Sequence, residues 1–257
     1  MAADPATGTL YHGGCGRAVL IDIVTVAETG STNADLLAAA RSGAAEGRWL
    51  RAGSQTAGRG RQGRTWTSRA GNLYASTIVQ LRPHDPPAAT LALVAAVALD
   101  EAIGLLCPAL LGPGRLTIKW PNDVLLDGAK LVGILLERAD DAVVIGFGVN
   151  CAHHPDLPDR KTACLADAGC PVDPAVLVEA LADSLARWLA CWRGEGIQPV
   201  RSRWLDRAHP KGTALVARAG DTATEGLFDG LDGDGALVLR LADGTRRVIH
   251  AADVFLL

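Results

Sequence analysis

Three apolar runs, residues 116–120, 131–137 and 143–149, follow one another in quick succession. Runs this short and this close, interrupted by a polar stretch with a turn signal at Asp127-Gly128, predict an antiparallel sheet from which helices are segregated. Earlier in the chain, residues 19–26 and 49–52 read as strands. Residues 72–81 read as a longer one, with Leu73, Ala75, Thr77, Val79 and Leu81 on one face. One helix starts at Thr32, where Asp35 three positions on gives a capping-box-like pattern; it runs through Leu36, Leu37 and Ala40 and ends at Gly43. A second opens at Pro86-Pro87 and continues to Leu106. A third covers residues 174–192, with Val178, Leu181, Leu185, Trp188 and Leu189 at helical spacing as a core face. From Thr213 the pattern changes to short strands punctuated by Gly220-Asp221, Asp232-Gly233, Asp234-Gly235 and Asp243-Gly244, as in a small barrel of hairpins. The expected fold is α+β: a mixed or antiparallel sheet flanked by helices over residues 18–209, then a small β-barrel over residues 210–257. The boundary is set at His209-Pro210-Lys211-Gly212. Residues 1–17 read as a flexible, Gly-rich tail, too short for a helix-turn-helix domain.

An apolar share of 49% over 257 residues is enough for a real core, and the net charge of −3 gives no global basic field. Nucleic-acid binding would therefore need a local basic patch. Cysteines at 15, 107, 151, 164, 170 and 191 form no CxxC pair and no framework spacing, so they are expected to be buried reduced thiols rather than zinc ligands or a disulfide scaffold. The N-terminus lacks a basic leader and Asp22 interrupts its apolar stretch, so neither a signal peptide nor a membrane span is expected, and the chain is assigned to the cytoplasm. Lysine occurs only at 119, 130, 161 and 211, against 21 arginines. A lysine between apolar runs thus asks why arginine would not serve there, since lysine is a compact point charge and arginine a planar fork.

Gly58-Arg59-Gly60-Arg61-Gln62-Gly63-Arg64 places three arginines among three glycines with no acidic residue, a cationic cradle suited to phosphate. A solvated surface loop has the same composition. Gly58 to Thr65 also comes within one residue of the P-loop pattern, but Arg64 replaces its lysine and a strand, not a helix, is expected next. A nucleic-acid reading has charge here but a lone stacking partner, Trp66. The second cluster is Lys119-Trp120-Pro121-Asn122-Asp123, where Pro121 turns the chain and leaves Asn122 and Asp123 on a tight loop at a strand end. Alone, this would suit a snorkelling lysine beside an Asx turn. It is followed, however, by Lys130 at the mouth of the next strand and by Gly146-Phe147-Gly148-Val149-Asn150 at the end of the one after, so charged and amide side chains gather at one end of a sheet.

In order, these motifs resemble those of biotin protein ligases. They are Ser31-Thr32-Asn33, Gln55-Thr56-Ala57 leading into the Gly/Arg loop and Trp66, Asn72-Leu73-Tyr74, Lys119-Trp120-Pro121-Asn122-Asp123, Lys130-Leu131-Val132-Gly133-Ile134-Leu135 and Gly146-Phe147-Gly148-Val149-Asn150. Gln62 departs from the family's usual arginine, while Arg59, Arg61 and Arg64 remain. The resemblance implies a class II synthetase-like catalytic domain with an SH3-like C-terminal barrel. It also implies an enzyme that makes biotinyl-5′-adenylate from biotin, ATP and Mg2+, then biotinylates a lysine of a biotin carboxyl carrier protein. It assigns biotin contacts to Ser31, Thr32, Asn33, Gln55, Arg59, Gly60, Arg61, Lys119 and Gly133. ATP contacts fall to Arg59, Arg61, Arg64, Trp66, Asn122, Lys130 and Asn150, and catalysis to Lys119, Asp123, Lys130 and Arg59. Magnesium is expected with ATP, near Asp123, and no prosthetic group is expected. A monomer or homodimer without DNA or membrane partners completes the expectation. The rivals are a lipoate or octanoate ligase or transferase of the same fold, and a non-enzymatic nucleotide- or nucleic-acid-binding module.

Overall fold

The computed structural model describes residues 9–10 and 20–256. The remainder of the expected tail, with Cys15, lies outside the described residues. In chain order the first sheet comprises β1 (Thr9–Leu10), β2 (Leu20–Thr29), β3 (Arg48–Gln55), β4 (Leu73–Gln80), β5 (Leu116–Lys119), β6 (Asp123–Leu126), β7 (Ala129–Ala139) and β8 (Ala142–Val149). Their spatial order is β1-β2-β3-β4-β8-β7-β6-β5. β2 and β3 run parallel, joined by the crossover helix α1 (Thr32–Arg41), and the other neighbours are antiparallel, so the sheet is mixed.

Alternation divides the sheet's two faces. Leu73, Ala75 and Val79 of β4 and Val143, Ile145, Phe147 and Val149 of β8 point into the main core, beneath α2 (Leu91–Leu106), α3 (Pro174–Glu195) and α4 (Ile197–Asp206). Ile78 and Val144 point the other way and pack against Leu36 and Leu37 of α1. The segment Ala88–Leu106, which ends in α2, is long and apolar enough to cross a membrane, but 72% of its most apolar window is buried, as in a core helix.

The second sheet comprises β9 (Ala214–Ala219), β10 (Thr222–Leu231), β11 (Leu237–Arg240), β12 (Arg246–Ile249) and β13 (Asp253–Leu256), all antiparallel in the order β12-β11-β10-β9-β13. The Asp/Gly pairs supply its turns, and a register shift between Phe228 and Gly230 adds the local bend of a bulge. Leu215, Phe228, Leu237 and Val254 join the same core as the first sheet, and the Trp120 indole donates to the Gly235 carbonyl across the junction at 3.1 Å.

Several local expectations are corrected. Ser31, not Thr32, caps α1, accepting from the Ala34 amide, and Asp35 instead accepts from the Thr29 hydroxyl. Asp123 opens β6 rather than sitting in a loop. The Pro86-Pro87 segment leads into a 3-10 turn, Ala88–Thr90, before α2 begins. Cys107 and Cys170 are not free thiols: they are disulfide-bonded, with Cα atoms 6.0 Å apart and a sequence separation of 63. Cys151, Cys164 and Cys191 are free.

Candidate active site

The sheet face that carries α1 also carries a cavity of about 260 Å³. Its floor is made by glycines at the even positions of β8 and their partner on β7: Gly146, Gly148 and Gly133, the last two directly paired. No larger residue fits. A Cβ on Gly146 would lie 2.1 Å from Asn33 Oδ1, and one on Gly133 or Gly148 would come within 2.8 or 2.6 Å of the Trp66 ring.

At one end the N-terminus of α1 presents Ser31, Thr32 and Asn33, all buried. Gln55 Oε1 accepts from the Thr32 amide at 2.9 Å and lies 3.2 Å from the Thr32 hydroxyl, while its Nε2 donates to Ser68 at 3.0 Å. Ser76 Oγ lies 2.7 Å from the Thr32 hydroxyl and donates to Asn33 Oδ1 at 2.6 Å; Asn33 Nδ2 donates to Glu137 at 2.8 Å. A chain of fixed donors and acceptors on rigid elements can orient a small polar ring.

At the other end lies a cation cluster. Lys130 Nζ is 2.7 Å from Asp123 Oδ1, and Lys119 Nζ is 3.5 Å from Oδ2 and donates to the Val254 carbonyl at 2.8 Å. Burial pushes the Lys119 ammonium below its ordinary value, opposed by the Asp123 charge. Burial raises the Asp123 carboxyl, but Lys130 and Lys119 outweigh it and hold the group below the usual carboxylate range. Two ammonium groups around one carboxylate leave a net positive charge facing the cavity, which can bring two anions together.

The Gly/Arg loop roofs the site. Arg59 and Thr65 bridge across it, Arg61–Gly63 forms a 3-10 turn, and Gln62 adopts the left-handed conformation at φ 55°, uncommon for a residue with a side chain. Its arginines are tied down by acids: Arg59 lies 3.6 Å from Glu137, and Arg61 and Arg64 pair with Asp253 of β13. Arg61 also donates to Asn122 and to the Ala252 carbonyl, both at 3.2 Å. Strand β4, not a helix, follows the loop, so the P-loop alternative lacks the helix N-terminus it requires. Trp66 lies on the glycine floor with the Lys130 ammonium 5.7 Å from its ring. Its Nε1 is buried without a hydrogen-bond partner among the described residues.

The structure thus brings together Ser31, Thr32, Asn33, Gln55, Arg59, Gly60, Arg61, Arg64, Trp66, Lys119, Asn122, Asp123, Lys130 and Gly133 around one cavity. Asn150 is the exception. It is buried, and its side chain donates to the Ala163 carbonyl at 3.0 Å, holding the segment after β8. Sequence reasoning missed Arg160, Asp253, Val254 and Phe255, which also line the cavity. No local pattern signals them: Arg160 lies in an irregular segment, and the other three belong to the last strand of the second sheet.

Residues 27–150 match the biotin/lipoate A/B protein ligase family, and residues 215–257 match the biotin protein ligase C terminal domain. The biotin--[acetyl-CoA-carboxylase] ligase of Paracoccus denitrificans is 44% identical over 208 residues, covering 76% of this chain and 84% of the relative. The bifunctional ligase/repressor BirA of Bacillus subtilis (strain 168) is 34% identical over 207 residues, or 74% of this chain but only 60% of the relative. Among solved structures, the biotin protein ligase from Aquifex aeolicus in complex with biotin and ATP superposes with a TM-score of 0.79 at 22% identity, covering 91% and 99% of the two chains; it bears on fold alone.

Proposed function

This chain belongs to the biotin protein ligase family, an ATP-dependent ligase class, and we propose the following division of labour among its residues. Biotin's ring system lies against Ser31, Thr32, Asn33 and Gln55 over the floor at Gly133. Its carboxylate points towards Lys119, with Arg59, Gly60 and Arg61 closing over it. ATP lies under the Gly/Arg loop against Arg59, Arg61, Arg64, Trp66, Asn122 and Lys130. In the first step a carboxylate oxygen attacks the α-phosphorus and pyrophosphate leaves; in the second the carrier lysine's amine attacks the acyl carbon and AMP leaves.

The observation that carries this reading is the Lys119–Asp123–Lys130 cluster opening onto the same cavity as the arginine loop. Repulsion between two anions at 4 Å is about 4 kcal/mol at an effective dielectric of 20, so a point-like cation between them lowers the barrier. Arg59 and Lys130 share that charge on the phosphate side. Asp123, held ionised by its two lysines, is better suited to orienting the incoming amine than to accepting its proton. Each of its oxygens already faces an ammonium group, so the residues at Asp123 fit a metal poorly; magnesium is assigned to the ATP phosphates. Asn150 has a supporting part, fixing the segment that carries Arg160.

The same reading divides the chain into a catalytic part, 18–209, and a small C-terminal part, 210–257. The acceptor is a biotin carboxyl carrier protein, the location the cytoplasm, and the assembly a monomer or homodimer. The net charge of −3 and the pairing of the loop arginines with Glu137 and Asp253 favour a protein that does not bind DNA.

Replacing Lys119 with Ala is expected to lower biotin-dependent exchange of pyrophosphate into ATP by about 100-fold or more, the effect of removing a charge aimed at the transition state. Undiminished exchange in a folded Lys119→Ala protein removes Lys119 from the mechanism.

A further inference from the structure

The Lys119 side chain is held from outside its own sheet. Lys119 ends β5, yet its ammonium donates to the Val254 carbonyl at 2.8 Å and lies 5.9 Å from the centre of the Phe255 ring, both on the last strand of the second sheet. Two further cations face that ring, the Arg160 guanidinium at 5.7 Å and that of Arg218 at 5.2 Å. Phe255 is itself part of the cavity lining. An aromatic face attracts cations without neutralising them, whereas a carboxylate in its place would cancel the charge that anionic substrates need. Asp123 already takes one direction of the ammonium and the Val254 carbonyl another, leaving the third N–H for a ligand.

We infer that Phe255 is a positioning residue for the activation step: its ring holds the Lys119 ammonium, and the Arg160 guanidinium beside it, at the point where carboxylate and α-phosphate meet. This rests on the reading of Lys119 given above. Phe255 touches neither reacting group; it acts by keeping a long, flexible side chain in one place while leaving its charge undiminished. The Val254 carbonyl belongs to the backbone and survives any substitution at 255, so the ring's part is separable.

The test compares Phe255→Leu, which keeps bulk and loses the π face, with Phe255→Tyr, which keeps both, in biotin-dependent pyrophosphate exchange, with melting temperatures recorded for each. Phe255→Leu is expected to lower kcat about fivefold, with the KM for biotin changed by less than about twofold and the melting temperature unaltered. Phe255→Tyr should stay within about twofold of the parent in kcat. Unchanged kcat in Phe255→Leu, equal loss in Phe255→Tyr, or a parallel fall in kcat, biotin affinity and melting temperature would each overturn the inference. Phe255→Met takes the place of the leucine variant, on the same criteria, if the latter does not fold. Lys119→Ala is run alongside: full exchange there means that the reading of Lys119 has failed, whereas its loss together with an unaffected Phe255→Leu removes Phe255 alone.

Discussion

Gly146 illustrates how a missing side chain can be a functional one. The hydrogen-bond chain through Thr32, Ser76, Asn33 and Glu137 passes over it, and a methyl group there would collide with Asn33 Oδ1. Gly146→Ala must displace the Asn33 amide and is expected to break the Ser76–Asn33 bond, and a lost buried hydrogen bond costs about 1–3 kcal/mol. The KM for biotin is therefore expected to rise about tenfold, with the KM for ATP nearly unchanged, in exchange assays titrated with each substrate. The glycines and the Ser31-Thr32-Asn33 triplet were legible as motifs because their spacing is local. Their meeting was not: Asn33 and Glu137 are 104 residues apart. Asn150 shows the opposite case: a strand-end asparagine in a motif reads as a ligand contact, whereas here it lies outside the cavity lining and its side chain donates to the Ala163 carbonyl.

Among the elements, the long amphipathic and apolar segments were readable, whereas β6, with four residues, and α4, with ten, were not. α4 follows α3 after a single residue, Gly196 at φ 80°, and carries Pro199 in its first turn, so no break in composition announces it. Yet α4 contributes a decisive contact. Asp100, fully buried in α2, is paired with Arg203 of α4 at 3.1 Å and with Arg207, just beyond the helix end, at 3.0 Å. Asp100→Ala leaves two guanidinium groups without their counter-ion at a helix interface, and a loss of about 3 kcal/mol in urea unfolding is expected. A charged residue in a mostly apolar helix gave no hint of its partners, because they lie more than 100 residues downstream. The cysteines follow the same logic: spacing alone says nothing about Cys107 and Cys170, which pair because the end of α2 packs against the segment after β8.

For the whole molecule, the joint between the sheets sets a pH dependence. His209 lies there, its Nε2 buried without a partner among the described residues. Burial, helped by the nearby Lys119 charge, pushes it down to about 4 from the ordinary 6.5. Between those values the unfolded chain binds a proton that the folded chain refuses. Stability contributed by the neutral ring is thus present above about pH 6.5 and lost as pH falls towards about 4. His209→Gln should flatten this acid slope in denaturant unfolding measured across the window; an unaltered slope would show that the ring does not titrate there. The sequence by itself determined the α+β class, the alternation that separates core from site, the turns of the C-terminal sheet and most of the motif residues, because each depends on neighbours within a few residues. Tertiary structure decided the rest: which arginine meets which acid, which thiols join, and that Lys119 takes its carbonyl and its aromatic ring from a strand 135 residues away. Those depend on how two sheets pack around one core, and no local pattern encodes that packing.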